Sequence, residues 1–355
     1  MLKQIRKQFK NYDALFISNP VNVYYLTGFT GSRGLILITK RKAYFFTDFR
    51  YIEYAKRMIP DDFEVIQIDK KWKKDWPKLL KKFRIKNLGF EESFLTVSQY
   101  AGLNKISPGV RLKKAGDVIE AIREIKTDRE LAMLKKSQRI NEQVLDEVLN
   151  YLKEGRTEAE VEWFIIKAGR DFGAEDTSFD PIVAFGTHSA IPHHQNTNRK
   201  LKKGNVVLID MGVKYKSYCS DMTRTFFTAK PSAKEAEVYQ TVLDAQNAAT
   251  NALKHDVQVK KVNEAAMKLI KEKGYAENFQ HGLGHGVGLD IHELPNLATD
   301  KPYKLKANMI TTIEPGIYLP KNFGVRIEDM LIITRAGAQN ITKAPKELND
   351  VIIKI

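Results

Sequence analysis

The sequence predicts two domains of mixed helix and strand, a small α/β unit in front and a larger α+β unit behind. Three observations carry this expectation. The 355 residues exceed the roughly 250–300 at which a single core stops growing. Short apolar runs alternate with helical stripes over the first third. Beyond it, helices announced by capping boxes are separated by long β-prone runs rather than by regular βαβ alternation. No apolar run approaches the roughly 18 residues needed to cross a bilayer, and the opening MLKQIRKQFKNYD lacks the apolar core of a signal peptide. A cytoplasmic location away from membranes is therefore expected.

In the front third, ALFIS (14–18), LILIT (35–39), AYFFT (43–47) and FEVIQI (63–68) read as buried strands. Residues 49–59 and 72–83 carry helical periodicity. Of the net charge of +15, +12 falls in residues 1–125, and the segment 70–86 holds nine basic residues and one acid. Such a run raises the possibility of a nucleic-acid surface. However, Trp72, Trp76, Leu79, Leu80 and Phe83 form one helical stripe, so a solvated lysine face is expected and no specific nucleic-acid partner. Pro108, Gly109 and Gly116 interrupt the pattern and place the boundary near 116–126, with domains expected at 1–122 and 123–355.

Behind the boundary, Thr127 with Glu130, Thr157 with Glu160 and Ser232 with Glu235 are capping boxes that start helices. A fourth helix is expected at about 259–273, ending at Gly274. NVVLIDMGV, YCSDMTRTFF, MITTIEPGIYL and GVRIEDMLIIT read as strands between them. The single cysteine, Cys219, excludes an internal disulfide and a thiolate-rich zinc site, and is expected to be a small buried side chain. Any metal must be held by oxygen and imidazole.

Those ligand types recur in the strand-like runs. Asp210 and Asp221 are symmetric about a turn near Tyr215 and Lys216, and Glu314 and Glu328 about one near Lys321. Two hairpins would then each present a pair of opposed carboxylates. Paired, partly buried acids must take up a proton or a cation. Their formal −4 would be neutralised by two divalent cations, with His285 completing the set. His285 is the centre of HGLGHGVGLDIHE (281–293), which gathers three of the chain's seven histidines and four alternating glycines, a spacing that weakens a helix and permits close approach.

The ordered motifs IDMGV, SDMTRTF, HGLGHGVGLDIHE, TIEPGIY and VRIED resemble the pita-bread metallopeptidases, in particular their Xaa-Pro branch of aminopeptidase P and prolidase. NPVNVYYLTGFTGSRG, TDFRY and IREIKTDRELAMLKKS extend the likeness over nearly the whole chain. The resemblance implies a creatinase-like α/β amino-terminal domain, a pita-bread catalytic domain, two divalent ions (Mn or Co, with Zn also used) and a homodimer. It maps metal ligands onto Asp210, Asp221, His285, Glu314 and Glu328. It further implies that His193 and His292 meet the substrate, with Glu314 moving the proton, while His281, Tyr318 and Arg326 line or support the pocket. Arg326, two residues before Glu328, shares its strand face.

An enzyme confined to Xaa-Pro dipeptides must pair the proline carboxylate, and a forked arginine suits that task. Where some prolidases carry that arginine, this chain has Asn296. Together with TGFTGSRG and TDFRY, this tips the expectation slightly toward an Xaa-Pro aminopeptidase, with the dipeptidase as the alternative. Arg33 or a partner subunit would be the substitute cation. A non-catalytic relative that binds a protein partner, or a creatine-type amidinohydrolase, fits less well, because all five ligand positions are filled.

Overall fold

A computed structural model of the chain describes residues 1–299 and 302–355. It divides into two compact units, Met1–Ile122 and Arg123–Ile355.

The front unit is built on one six-stranded mixed sheet. Its strands are β1 (Ala14–Ile17), β2 (Leu35–Thr39), β3 (Ala43–Thr47), β4 (Phe63–Gln67), β5 (Asn87–Phe90) and β6 (Arg111–Lys114), in the order β4-β3-β2-β1-β5-β6. Strands β1 and β3 are buried along their whole length, because apolar clusters cover both faces. One gathers Leu15, Ile36 and Phe45; the other gathers Phe16, Leu37 and Phe46 with Trp76 and Leu80. The last two belong to the helix Trp72–Lys82, whose lysines are exposed while its aromatic stripe packs inward. Strands β5 and β6 and the helices Pro20–Thr27 and Val97–Ile106 add to the expected elements. β6 reads RLKK and is an edge strand, where charge blunts unwanted pairing and leaves no apolar alternation to read.

In the rear unit, the helices Asp128–Tyr151, Glu158–Asp171 and Ala233–Ala252 each begin at a complete capping box, on Thr127, Thr157 and Ser232. The fourth, Val259–Glu272, ends before Gly274, whose φ is +80°. The strands form several small antiparallel sheets. β7 (Asp176–Thr177) pairs with β10 (Val213–Tyr215), which pairs with β11 (Tyr218–Cys219). β8 (Ile182–Phe185) and β12 (Met222–Phe227) flank β9 (Val206–Met211). β13 (His285–Gly286) pairs with β14 (Glu293–Asn296) across an irregular register. β15 (Ile310–Ile313) pairs with β18 (Asp329–Ile333), which carries β19 (Ala338–Asn340), while β16 (Gly316–Leu319) pairs with β17 (Phe323–Arg326). One large apolar cluster joins the helices to these sheets through residues such as Val144, Ile165, Val242 and Ile270 against Phe185, Ile209, Ile313 and Val325. Among the described residues, no helix is long and apolar enough to cross a membrane.

Candidate metal centre

The two long hairpins differ in register. Ile313 faces Asp329 and Gly316 faces Arg326, so one register runs through the interval and sets Glu314 opposite Glu328, as its symmetry about Lys321 predicts. Lys321 sits at φ +64°, the left-handed residue this turn requires. In the other hairpin, Asp210 faces Thr223 rather than Asp221. The turn falls at Lys216–Ser217, both with positive φ, one step later than the symmetry argument assumes. Asp221 is therefore displaced by two residues along its strand and reaches the same face diagonally.

His285 comes from the glycine-rich segment, which crosses β15 at very close range. A Cβ on Gly284 would lie 2.1 Å from the Thr312 carbonyl oxygen, so no side chain fits there. The crossing sets His285 Nε2 3.5 Å from Asp221 Oδ2 and 3.4 Å from Glu314 Oε1. Its Nδ1 lies 3.1 Å from the Gly286 carbonyl, which can only accept, so Nδ1 carries the proton and Nε2 presents a lone pair. Burial and the neighbouring His292 lower this imidazole's pKa to about 4. The ring is thus neutral, with its lone pair aimed at two carboxylates.

Burial pushes the Asp221 carboxyl well above the usual range, and the charges of Glu328, Asp210 and Glu314 add to the effect. Glu328 is raised for the same reasons, and Glu314 rises to about 7, mainly through burial. Fixed donors hold one oxygen of three of the four acids. The Thr223 hydroxyl donates to Glu328 Oε2 (2.7 Å), the Thr312 hydroxyl to Glu314 Oε1 (3.2 Å) and Arg326 Nη2 to Asp210 Oδ2 (2.6 Å). The other Asp210 oxygen, Oδ1, is buried and has no hydrogen-bond partner among the described residues. An orphaned carboxylate oxygen, a neutral imidazole lone pair and mutually repelling acids are the donor set of a cation site. Asp221, His285 and Glu328 bring ligand atoms within 4.8 Å of one another. Arg326 offsets one of the four negative charges, which leaves more than a single divalent ion would balance.

The remaining expected residues surround this centre. Arg326, which is buried, also donates to the Tyr318 hydroxyl (2.7 Å), to the Thr223 hydroxyl (3.0 Å) and to the Pro192 carbonyl (3.3 Å). His281 Nδ1 donates to the Gly282 carbonyl (2.8 Å), so its Nε2 accepts from Tyr318 at 3.1 Å. Burial, and next the charge of Arg326, lower the His281 pKa to about 4. The exposed ring of His292 meets His285 edge to face with centroids 4.3 Å apart. His193 is exposed and close enough to His281 to bear on its charge. Asn296 is exposed, and its Oδ1 accepts from the Ala298 backbone N–H at 2.7 Å, so its amide oxygen is engaged in a local turn. Cys219 is fully buried.

Buried ionic clusters around Glu293 and Asp329 were not foreseen from the sequence. Glu293, the last residue of the histidine segment, accepts from Arg123 Nη2 (2.5 Å) and pairs with Lys126 (2.8 Å). Asp329, next to Glu328, is held by Arg224 (2.7 Å), Lys346 (2.6 Å) and Gln246 (2.7 Å). Each partner is far away in sequence, so no local pattern marks it.

The model for metallopeptidase family M24 matches residues 132–335, and that for the creatinase/prolidase N-terminal domain matches residues 2–125. The chain belongs to metallopeptidase family M24. An Xaa-Pro dipeptidase from Pyrococcus furiosus is 37% identical over 337 residues, covering 95% of each chain. The solved Xaa-Pro dipeptidase from Bacillus anthracis superimposes with a TM-score of 0.95 at 37% identity, covering 100% of this chain and 99% of that one. An X-Pro aminopeptidase from Thermotoga maritima follows at 0.90 and 32% identity, covering 99% of both. The pita-bread and creatinase-like architecture expected from the motifs is that of this M24 chain.

For this metallopeptidase the raised carboxyl groups set a sign for metal binding. Glu314, with a pKa of about 7 in the absence of a cation, holds a proton at and below neutrality that an incoming cation displaces. Affinity for Mn²⁺ is therefore expected to fall as pH drops through 7. Calorimetric titrations at pH 7 in two buffers of different ionisation enthalpy should differ by the heat of the released protons; identical heats would remove protonated acids from the site.

Proposed function

We propose that the chain is a two-metal hydrolase of the peptide bond preceding proline, and that Xaa-Pro dipeptides are its substrates. The observation that carries the reaction class is the set of four carboxylates with the His285 lone pair turned into it. Asp210, Asp221, His285, Glu314 and Glu328 would hold the ions, with Mn²⁺ or Co²⁺ the expected metals and Zn²⁺ also accommodated by these ligands. Such ions supply Lewis acidity toward the substrate carbonyl and acidify water. The named relatives in the Xaa-Pro branch support proline as the residue after the scissile bond.

The chain's own residues divide the remaining work. Glu314 would take up a proton and hand it to the departing prolyl nitrogen. His292, whose ring meets His285, and His193, near His281, would donate to the carbonyl oxygen as charge develops on it. Arg326 pairs with Asp210 and fixes Tyr318, which in turn orients His281.

The dipeptide assignment leans on the dipeptidases of Pyrococcus furiosus and Bacillus anthracis. The Thermotoga maritima aminopeptidase supports the second reading, an aminopeptidase that trims longer peptides. A single metal-loaded preparation decides between them. Ala-Pro is expected to be hydrolysed with at least tenfold higher kcat/KM than Ala-Pro-Ala, and preference for the tripeptide would establish the aminopeptidase. Glu314→Gln is expected to lower kcat on Ala-Pro by at least 10²-fold, the least usually lost with a positioned acid or base. Near-normal turnover in this variant would take Glu314 out of the proton path.

A further inference from the structure

Glu158 is fully buried at the first turn of the helix Glu158–Asp171, and the metal centre gives it no task. A carboxylate withdrawn from water costs several kcal/mol unless its lone pairs are filled. Here five donors fill them. Oε1 accepts from the Phe185 backbone N–H (2.9 Å) and from His188 Nδ1 (2.8 Å). Oε2 accepts from His194 Nε2 (2.9 Å), from the Thr197 backbone N–H (3.0 Å) and from the Thr197 hydroxyl (2.6 Å). Burial alone would raise this carboxyl, but the bonds from Thr197, His194, Phe185 and His188 hold it below the usual range.

Every donor lies in the segment 185–197, so one carboxylate ties down both ends of that segment and two points between. Elsewhere the segment rests on the hairpin between Glu314 and Glu328. The Gly324 N–H donates to Ser189 Oγ (2.9 Å), and a Cβ at Gly324 would lie 2.1 Å from the Ser189 carbonyl oxygen. Arg326 Nη1 donates to the Pro192 carbonyl (3.3 Å). Directly after Pro192 the chain presents exposed His193, and directly after that it buries His194 against Glu158. The inward turn of one imidazole thus fixes the outward turn of its neighbour.

We propose that Glu158 is a positioning residue for His193, which it holds at the metal centre by anchoring the 185–197 segment. This rests on the reading in which His193 meets the scissile bond of an Xaa-Pro peptide. Glu158, His188 and His194 also bring ligand atoms within 4.8 Å of one another. A carboxylate offers about four lone-pair sites, however, and five N–H and O–H groups already occupy them, so the cluster is complete as a hydrogen-bond hub.

A double-mutant cycle tests the proposal on the metal-loaded enzyme with Ala-Pro. Glu158→Gln keeps the shape but turns a donor-bearing amide toward a ring of donors. It is expected to lower kcat/KM about 10²-fold, the effect of misplacing a reacting group by about 1 Å, with bound metal unchanged. Glu158→Gln combined with His193→Ala should be no slower than His193→Ala alone, within about threefold. Losses that multiply would overturn the proposal. If Glu158→Gln does not fold, Thr197→Val removes one of the five bonds and the same cycle applies, with a loss of about fivefold expected. A readout independent of turnover is the ¹³C-histidine NMR spectrum, in which the His193 signal is identified by its disappearance in His193→Ala. That signal should shift or broaden in the Glu158 or Thr197 variant while the His285 signal stays in place, and an unmoved His193 signal overturns the proposal. Should the wild-type enzyme leave Ala-Pro intact, the substrate reading fails and the NMR comparison alone decides the positioning.

Discussion

Mutual repulsion among four carboxylates, Asp221 and Glu328 buried and Asp210 and Glu314 partly so, is the constraint around which the larger unit is organised. Asp210, Asp221, Glu314 and Glu328 come from two hairpins whose strands are otherwise apolar, and burial together with their neighbours' charge makes the anionic form costly for Asp221 and Glu328 in particular. Left alone, such a cluster would favour unfolding or would hold protons. The surrounding residues act against both outcomes at one oxygen of three of these acids. Threonine hydroxyls hold Glu314 and Glu328, and a guanidinium holds Asp210. The His285 lone pair faces Asp221 Oδ2 and Glu314 Oε1, and Asp210 Oδ1 has no hydrogen-bond partner among the described residues. The fold therefore leaves in place an electrostatic debt that divalent cations would settle, as membership in a metallopeptidase family leads one to expect.

The supports extend one layer outward. Arg326 joins Asp210, Tyr318, Thr223 and the Pro192 carbonyl, so one guanidinium links two hairpins to the 185–197 segment. Asp329, next to Glu328, sits in its own ionic network with Arg224 and Lys346. Glu293, at the end of the segment that carries His285, is held by Arg123 and Lys126. These buried pairs cost desolvation that packed hydrophobic residues would not. What they provide is direction, fixing strands that must present acids to one another.

Much of this was readable along the chain because it is encoded locally. The capping boxes on Thr127, Thr157 and Ser232 mark helix starts within four residues, and the apolar runs at 14–18, 35–39 and 43–47 mark strands that are buried on both faces. The edge strand Arg111–Lys114 was not legible, since its charged residues erase the apolar signal. The opposition of Glu314 and Glu328 followed from symmetry about a turn rich in turn residues. That of Asp210 and Asp221 did not, because the Lys216–Ser217 turn takes two positive φ values without a glycine to flag it. Least visible was the Glu158 hub, whose acid sits where an ordinary helix-start acid would, 27 to 39 positions from its partners.

If the repulsion among these acids is resolved by cations, the protein must carry them in a defined ratio. Elemental analysis of the enzyme after loading with Mn²⁺ and exhaustive dialysis measures this directly, with hydrolysis of Ala-Pro followed on the same samples as the ions are removed by a chelator. The account predicts about two ions per chain, with activity lost on chelation and restored by added Mn²⁺ or Co²⁺. A protein that remains fully active with no bound metal would contradict it.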